Sequence, residues 1–361
     1  NPQEQVCPNP ECCASGKDGE IGVHSRREQR YRCKKCGRTF SATVGTAYYR
    51  VKKAHELFTV VVSLLAYGCP VQAIVVSFAL DERTVWRWLE HAGKHCQGVH
   101  EQVVSQGQLE LGQIQADELK VKTYLGTVWL GLVMQVKTRL WLGGGVSQQR
   151  GKQLLKAVLS YAQAAGSAGE VLIAVDGFNI YLEVIPLIFI KTWNWLQACW
   201  QGWQTVAVVQ LMKQRRGKVG QVHKRFARGT HPQIARLIQA SQGRGWINTA
   251  YIERLNATFR LRVSSLVRAT RVLVHRPETL ESWMWLVGCV YNFCTDHEAL
   301  KIPLPVSPQK RFWIRRTPAI AAALTDHRWS IAELLAFKRP PVGWSLSRLT
   351  QGAFPLPRYL A

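Results

Sequence analysis

Carboxylates are scarce in this chain, and two of them stand where carboxylates are costly. Only six aspartates occur in 361 residues: Asp18, Asp81, Asp117, Asp176, Asp296 and Asp326. Asp117 lies in the β-rich run 109–122, and Asp176 ends the apolar run Val171-Leu172-Ile173-Ala174-Val175. An ionised carboxylate in or at the end of a buried strand is unfavourable unless a metal ion or a partner offsets its desolvation. Two such groups side by side suit Mg²⁺ or Mn²⁺, which take hard oxygen ligands and keep part of their water. A third acid is available in Ile252-Glu253-Arg254-Leu255-Asn256. Ile252, Leu255, Phe259, Val263 and Leu266 recur there at helical spacing, and Glu253 lies at the edge of that stripe, within reach of the metals. Glu118 is the nearest competitor, but alternation along a strand turns it to the face opposite Asp117.

Thiols provide the second chemistry. Cys13, Cys69, Cys96, Cys199, Cys289 and Cys294 are scattered among apolar residues, where free thiols behave as small hydrophobes; this is the usage of a reducing cytosol. The other four form two short-spaced pairs, Cys7 with Cys12 and, after twenty intervening residues, Cys33 with Cys36. Two knuckles of this kind aim four thiolates at one tetrahedral ion, the layout of a zinc ribbon with a single structural Zn²⁺. The spacing favours Cys12 as ligand, with Cys13 as a bystander or substitute. Gly37 supplies the positive φ a knuckle needs. Arg26, Arg27, Arg30, Arg32, Lys34, Lys35 and Arg38 make the segment strongly basic. The group His91, His95, Cys96 and His100 is not read as a second metal site, because no ligand pair of zinc spacing accompanies it.

The elements that must position these groups can be read from charge and periodicity. Lys plus Arg number 47 against 23 Asp plus Glu, a net charge of +24. A surplus of that size points to a polyanionic partner, nucleic acid first and an anionic membrane surface second. The longest uncharged run, 57–80, is broken by Gly68-Cys69-Pro70 and reads as two helices rather than a membrane span. No secretory signal opens the sequence at Asn1. Helices are expected over 56–67, 71–78 and 82–92, the last capped by Asp81. Val85, Trp88, Leu89 and Ala92 face its core, whereas Arg83, Thr84 and Arg87 lie opposite, where a helix-turn-helix carries its groove-reading side chains. A plain three-helix bundle with a solvated charged face is the alternative.

Strands are predicted over 109–122, 127–137 and 139–146, then a helix over 152–164, a buried strand over 171–175, a fifth strand over 205–212 and a closing helix over 249–268. Three meandering strands, a helix and a fourth strand form the opening of a ribonuclease-H-like α/β fold with a mixed sheet. Its first and fourth strands are neighbours, which brings out Asp117 and Asp176 side by side although about sixty residues separate them. Arg254, Arg260, Arg262 and Arg268 fall on the outer side of the closing helix. The run 213–228, with Arg215, Arg216 and Lys218, reads as a flexible phosphate-contacting loop. Trp193, Trp195, Trp200 and Trp203 are open to two readings, packing of the insertion or stacking on an unpaired base, and packing is favoured. The expected organisation is multidomain: a zinc ribbon at 1–46, an all-α helix-turn-helix at 52–97, the catalytic α/β core at 108–300 with an insertion around 185–246, and a Pro-rich tail at 301–361 with a short helix near 330–337.

Four stretches carry a family resemblance: the cysteine segment with Arg30-Tyr31-Arg32-Cys33-Lys34-Lys35-Cys36-Gly37-Arg38-Thr39-Phe40-Ser41, Glu82-Arg83-Thr84-Val85-Trp86-Arg87-Trp88, Gln115-Ala116-Asp117-Glu118, and Asn248-Thr249-Ala250-Tyr251-Ile252-Glu253-Arg254-Leu255-Asn256. Together they resemble bacterial insertion-sequence transposases, in particular the insertion-sequence-one family and its relatives. The resemblance implies a retroviral-integrase-like core in which Asp117, Asp176 and Glu253 form an Asp–Asp–Glu triad holding two Mg²⁺ (or Mn²⁺) ions. The implied activity is cleavage of element ends and joining of 3′-hydroxyls to target DNA. The implied partners are double-stranded DNA, both terminal inverted repeats and target, and a second copy of the chain in a homodimer or larger assembly. The implied location is the bacterial cytoplasm, at the nucleoid. The rival is a non-catalytic, sequence-specific DNA-binding regulator derived from a transposase, which would have a decayed triad.

Overall fold

A computed structural model of the chain describes residues 2, 5–15, 19–124, 126–190, 192–194, 199–201, 205–216, 219–243, 246–267, 273, 274, 276–304 and 312–338, with backbone alone at 192–194, 199–201, 213–216 and 219–221. The basic, Gly-rich start has little apolar material to pack. It forms a small antiparallel sheet of β1 (Ile21–Ser25), β2 (Arg30–Cys33) and β3 (Thr39–Ser41). Cys7, Cys12, Ala14, Ile21, Cys33 and Phe40 are the buried residues of its core.

The uncharged run then makes two helices, α1 (His55–Ala66) and α2 (Val71–Phe78). Gly68 turns the chain between them at φ +87°, and Pro70 has no N–H with which to continue the first helix. No helix among the described residues is long and apolar enough to cross a membrane. After a three-residue turn with Ala79 in the left-handed region, α3 (Glu82–Val103) begins on Asp81, whose carboxylate accepts the Arg83 N–H at 2.9 Å.

The rest of the chain builds β4 (Gly112–Thr123), β5 (Gly126–Gln135), β6 (Trp141–Ser147), α4 (Lys152–Ala165), β7 (Glu170–Asp176), α5 (Ile180–Phe189), β8 (Thr192–Asn194), β9 (Cys199–Gln201), β10 (Thr205–Arg216), β11 (Val219–Arg228), α6 (His231–Gln242), α7 (Ala250–Arg262), α8 (Pro277–Cys289), β12 (Ile302–Leu304), β13 (Phe312–Ile314), α9 (Pro318–Ala321) and α10 (Ile331–Ala336). The chain is a mixed α/β protein whose main sheet has six strands in the order β11-β10-β7-β4-β5-β6. β4, β5 and β6 meander antiparallel, β7 and β10 run parallel to β4, and β11 returns antiparallel at the edge.

Alternation along β4 sorts its side chains between two layers. Gln113 and Gln115 bond to Ser241 of α6 and to the start of α7, while Glu118 meets Tyr181 of α5 on the other side. One apolar core runs without a break from Phe58, Leu65 and Leu89 in the first three helices through Ile114, Leu130 and Ile173 in the sheet to Leu334 and Leu335 in α10.

Three elements depart from the sequence expectation. α3 does not end at Ala92. Its Gly93 is where α8 crosses, and a Cβ there would lie 2.6 Å from the Ser282 backbone, so the glycine permits contact rather than breaking the helix. The closing helix stops at Arg262 instead of Arg268, because Val263 is extended (φ −120°, ψ 105°) and Ser264–Leu266 form a separate 3₁₀ turn. The basic run after Met212 is not a loop but the β10–β11 hairpin. Antiparallel pairing satisfies its backbone without requiring apolar side chains, and the residues of β11 from Val222 onward are exposed.

Candidate active site and cysteine centre

The acidic site forms where β4 and β7 part. Their parallel pairing ends at Gln115 and Ala174, so Asp117 and Asp176 project into the opening beyond it. Carboxylate oxygens of Asp117, Glu118 and Asp176 lie within 4.8 Å of one another. Asp117 is held from two sides: its own neighbour's N–H (Glu118) donates to Oδ1 at 2.9 Å, and Asn256 Nδ2 of α7 donates to Oδ2 at 2.8 Å. Asp176 Oδ1 accepts the Phe178 N–H at 3.0 Å, and Gln210 Nε2 ties down the Asp176 and Phe178 carbonyls.

Glu118 corrects the sequence reading. Alternation does turn it to the α5 side, yet at the open end of two diverging strands both faces reach the same crevice. Its carboxylate is buried (8% exposed) and accepts from Tyr181 and, twice, from Arg150. Arg150 Nη2 also donates to Asp176 Oδ2 at 2.8 Å, and its guanidinium lies 4.0 Å from the Phe178 ring centroid. Burial, and after it the Glu118 charge, pushes the Asp117 carboxyl up to about 6. Burial likewise raises Glu118, although Tyr181 and Arg150 oppose it. The site is therefore short of positive charge, and its donors are all hard oxygens, the set a divalent ion such as Mg²⁺ accepts.

Glu253 is not part of this tight group. It is exposed at the first turn of α7, where Thr249 Oγ1 donates to its Oε1 at 2.7 Å, and its charge is still felt by Asp117. The helix that carries it is pinned to β4 by buried Gln115, whose side chain accepts the Ile252 N–H at 3.0 Å and donates to the Asn248 carbonyl. Sequence reasoning gave no role to Gln115, Asn256, Arg150 or Tyr181. The first two sat in plain view within the resembling motifs, Gln115 two strand positions from Asp117 and Asn256 one helical turn from Glu253.

Cys7, Cys12, Cys33 and Cys36 come together with Sγ atoms within 4.8 Å, and Cys13 is exposed outside the group. The pairs Cys7–Cys36 and Cys12–Cys33 are 3.7 and 3.8 Å apart. Four sulfurs about 2.3 Å from one tetrahedral ion would be separated by roughly 3.8 Å, so the cage has the size of a zinc site. Backbone N–H groups two residues on point at three of the sulfurs: Asn9 at Cys7, Ala14 at Cys12 and Arg38 at Cys36. The Arg38 N–H is the main reason the Cys36 thiol falls to about 7, a stabilisation of thiolate that metal binding uses. His100, by contrast, is a core residue. Burial lowers it to about 4, and its Nε2–H donates to the Leu142 carbonyl at 2.9 Å.

Among the expected DNA contacts, Arg83 and Arg87 are exposed on α3 and Thr84 is half-buried. Thr84 and Arg87 share a cavity with Arg50, Lys52 and Lys53, a basic stretch before α1 that the sequence reading passed over. Arg254 is exposed and Arg260 half-buried, but Arg262 is buried, bonded to Thr295 and 4.8 Å from the Tyr67 ring centroid, so it leaves the outer face. Arg215 and Arg216 end β10 by their backbone; their side chains, with Lys218, Arg268, Trp195 and Trp203, and the side chains of Trp193 and Trp200, lie outside the described residues.

No protein-family model matches the chain. No curated protein matches it either. Among solved structures, it is similar to a chain in the cryo-EM structure of a simian T-cell lymphotropic virus intasome in complex with the PP2A regulatory subunit B56 gamma, at 10% identity and a TM-score of 0.20, over 72% of this chain and 96% of that one.

Proposed function

We propose that this protein is a DNA transposase that cuts element ends and joins the freed 3′-hydroxyls to target DNA at a divalent-metal site built on Asp117, Asp176 and Glu253. The observation that carries the reading is the pair Asp117 and Asp176, brought from distant sequence to the adjoining ends of parallel strands β4 and β7. The order β10-β7-β4-β5-β6, with its antiparallel meander and parallel fourth and fifth strands, supports a ribonuclease-H-like core. The family resemblance of the motif around Glu253 supports the third position.

A divalent ion in such a site supplies charge neutralisation at the phosphorus-bound oxygens during in-line displacement. The protein's own residues prepare for it. Asn256 and the Glu118 N–H orient Asp117, Phe178 N–H and Arg150 orient Asp176, and Gln115 sets the height of Glu253 along the strand. Arg254 and Arg260 add a positive field for phosphates. The zinc-sized cage at Cys7, Cys12, Cys33 and Cys36 shapes a basic ribbon, and α3 with the Arg50–Lys53 stretch forms a second basic surface. Because two element ends must be held together, the working form is a dimer or larger assembly on DNA.

The test is nicking and strand transfer on element-end duplexes with Mg²⁺, with Mn²⁺ and without metal. Metal-dependent nicks bearing 3′-hydroxyls are expected; a protein that binds end DNA but nicks none under either ion would be a regulator instead. Within this reading, Arg83→Ala should weaken binding to the end sequence by roughly ten- to a hundredfold and to a scrambled duplex far less. Lys52→Gln should weaken both alike and reduce the salt slope by about one. Equal weakening of both duplexes by Arg83→Ala would reassign Arg83 as a phosphate contact.

A further inference from the structure

Trp246 is a large apolar side chain that the fold does not use. It is 77% exposed, while its neighbour Ile247 is 5% exposed and packs in the core beneath α6. A ring so exposed contributes little to folding. Its backbone is nonetheless fixed. Asn248 Nδ2 donates to the Trp246 carbonyl at 3.1 Å and to Gln242 Oε1 at 3.3 Å, and the Asn248 carbonyl is bonded by Gln115, two residues before Asp117. The ring stands on a stem anchored to the strand that carries the acidic site.

A cation accompanies it: Lys224 Nζ of β11 lies 4.9 Å from the ring centroid. Sheet register relates that lysine to the site. Lys224 pairs with Leu211, and Leu211 pairs with Asp176, so the three form one row across the sheet. Paired residues point to the same face, and Leu211 is buried on the α6 side, the side on which Gln115 meets α7. With strands about 4.8 Å apart, the row places Lys224 roughly 10 Å from Asp176, the span of one or two nucleotides of single strand.

We infer that Trp246 and Lys224 form a stacking platform for an unpaired nucleobase next to the phosphate at the acidic site; this rests on the DNA-cleaving reading above. The ring face takes the base and Lys224 its phosphate, a combination that binds single strands without reading sequence. A fully paired duplex offers no free base face and does not engage the ring.

The test is metal-free binding, read by fluorescence anisotropy in EDTA, of labelled oligo(dT) and of a random-sequence duplex of the same length. Trp246→Ala is expected to weaken oligo(dT) binding by about five- to a hundredfold and duplex binding by less than about twofold. Trp246→Phe, which keeps a ring, should stay within about threefold of the unmodified protein. Thermal unfolding of both variants should be unchanged, since the side chain is exposed. Equal weakening of both DNAs by Trp246→Ala, no weakening at all, or a Phe variant as weak as the Ala variant would overturn the platform. The readout is independent of cleavage, so a protein that fails to nick DNA yet shows the Trp246 effect would overturn the enzymatic reading alone.

Discussion

Asn in place of Asp117 or Asp176, and Gln in place of Glu253, are each expected to lower nicking and strand transfer by about a thousandfold or more while leaving DNA affinity intact. The amide keeps the shape and removes the charge that holds a divalent ion against water. Metal-free affinity for end DNA should stay equal or rise slightly, because a negative charge near phosphate has gone. Glu118→Gln makes the informative comparison. Arg150 now shares its charge between Glu118 and Asp176. Without the Glu118 charge, Arg150 binds Asp176 alone and competes with the incoming ion, so the Mg²⁺ concentration for half-maximal nicking should rise by about tenfold. Extra metal should restore Glu118→Gln and fail to restore Asp117→Asn. Near-normal nicking by Asp176→Asn or Glu253→Gln would remove that residue from the metal site. A Glu118→Gln defect that no metal concentration relieves would make Glu118 a ligand in its own right.

Removing zinc is expected to unfold the ribbon and spare the α/β core. Six buried side chains, three of them the cysteines Cys7, Cys12 and Cys33 and another Ala14, cannot hold three short strands together by burial alone. In such a module the metal's binding free energy, on the order of 10 kcal/mol, is the folding free energy. Freshly purified protein should contain about one zinc per chain, and Cys33→Ser should lose it. Hydrogen exchange after chelation should show protection lost across β1, β2 and β3 and kept in β4, β7 and α8. Less than about half an equivalent of zinc, together with a Cys33→Ser protein whose β2 remains protected, would count decisively against the assignment.

Asp117 and Asp176 could be singled out because two aspartates in apolar β-rich sequence stand out against the cost of burying charge, whereas Glu253 lies outside the tight group they form with Glu118. The cysteine cage was readable for a similar reason, since paired short spacings leave thiolates few geometries. Glu118 was misjudged because period-two alternation describes a strand inside a sheet, and it says nothing about the place where neighbouring strands diverge. Arg150 and Tyr181 had no local signal at all. They approach Glu118 from separate segments, and only the packing of α4 and α5 on the sheet brings them there.

The same division runs through the whole molecule. Local chemistry in the sequence determined the break between α1 and α2 at Gly68 and Pro70, the Asp81 cap, the strands β4 to β7 and the Ser330 capping box that opens α10. Tertiary structure decided what sequence neighbours do not encode. α3 runs on through Gly93, whose missing Cβ lets Ser282 of α8 approach, and Arg262 turns inward to Thr295 and Tyr67 although its helix position looked exposed. α10 joins the segment before α1 through Ala47 N–H to the Leu335 carbonyl and α3 through His95 to the Leu334 carbonyl, across more than two hundred residues of chain. Propensity, capping and periodicity act over a few residues and leave their mark in sequence. Close packing and the pairing of buried polar groups act between segments whose meeting only the folded chain specifies.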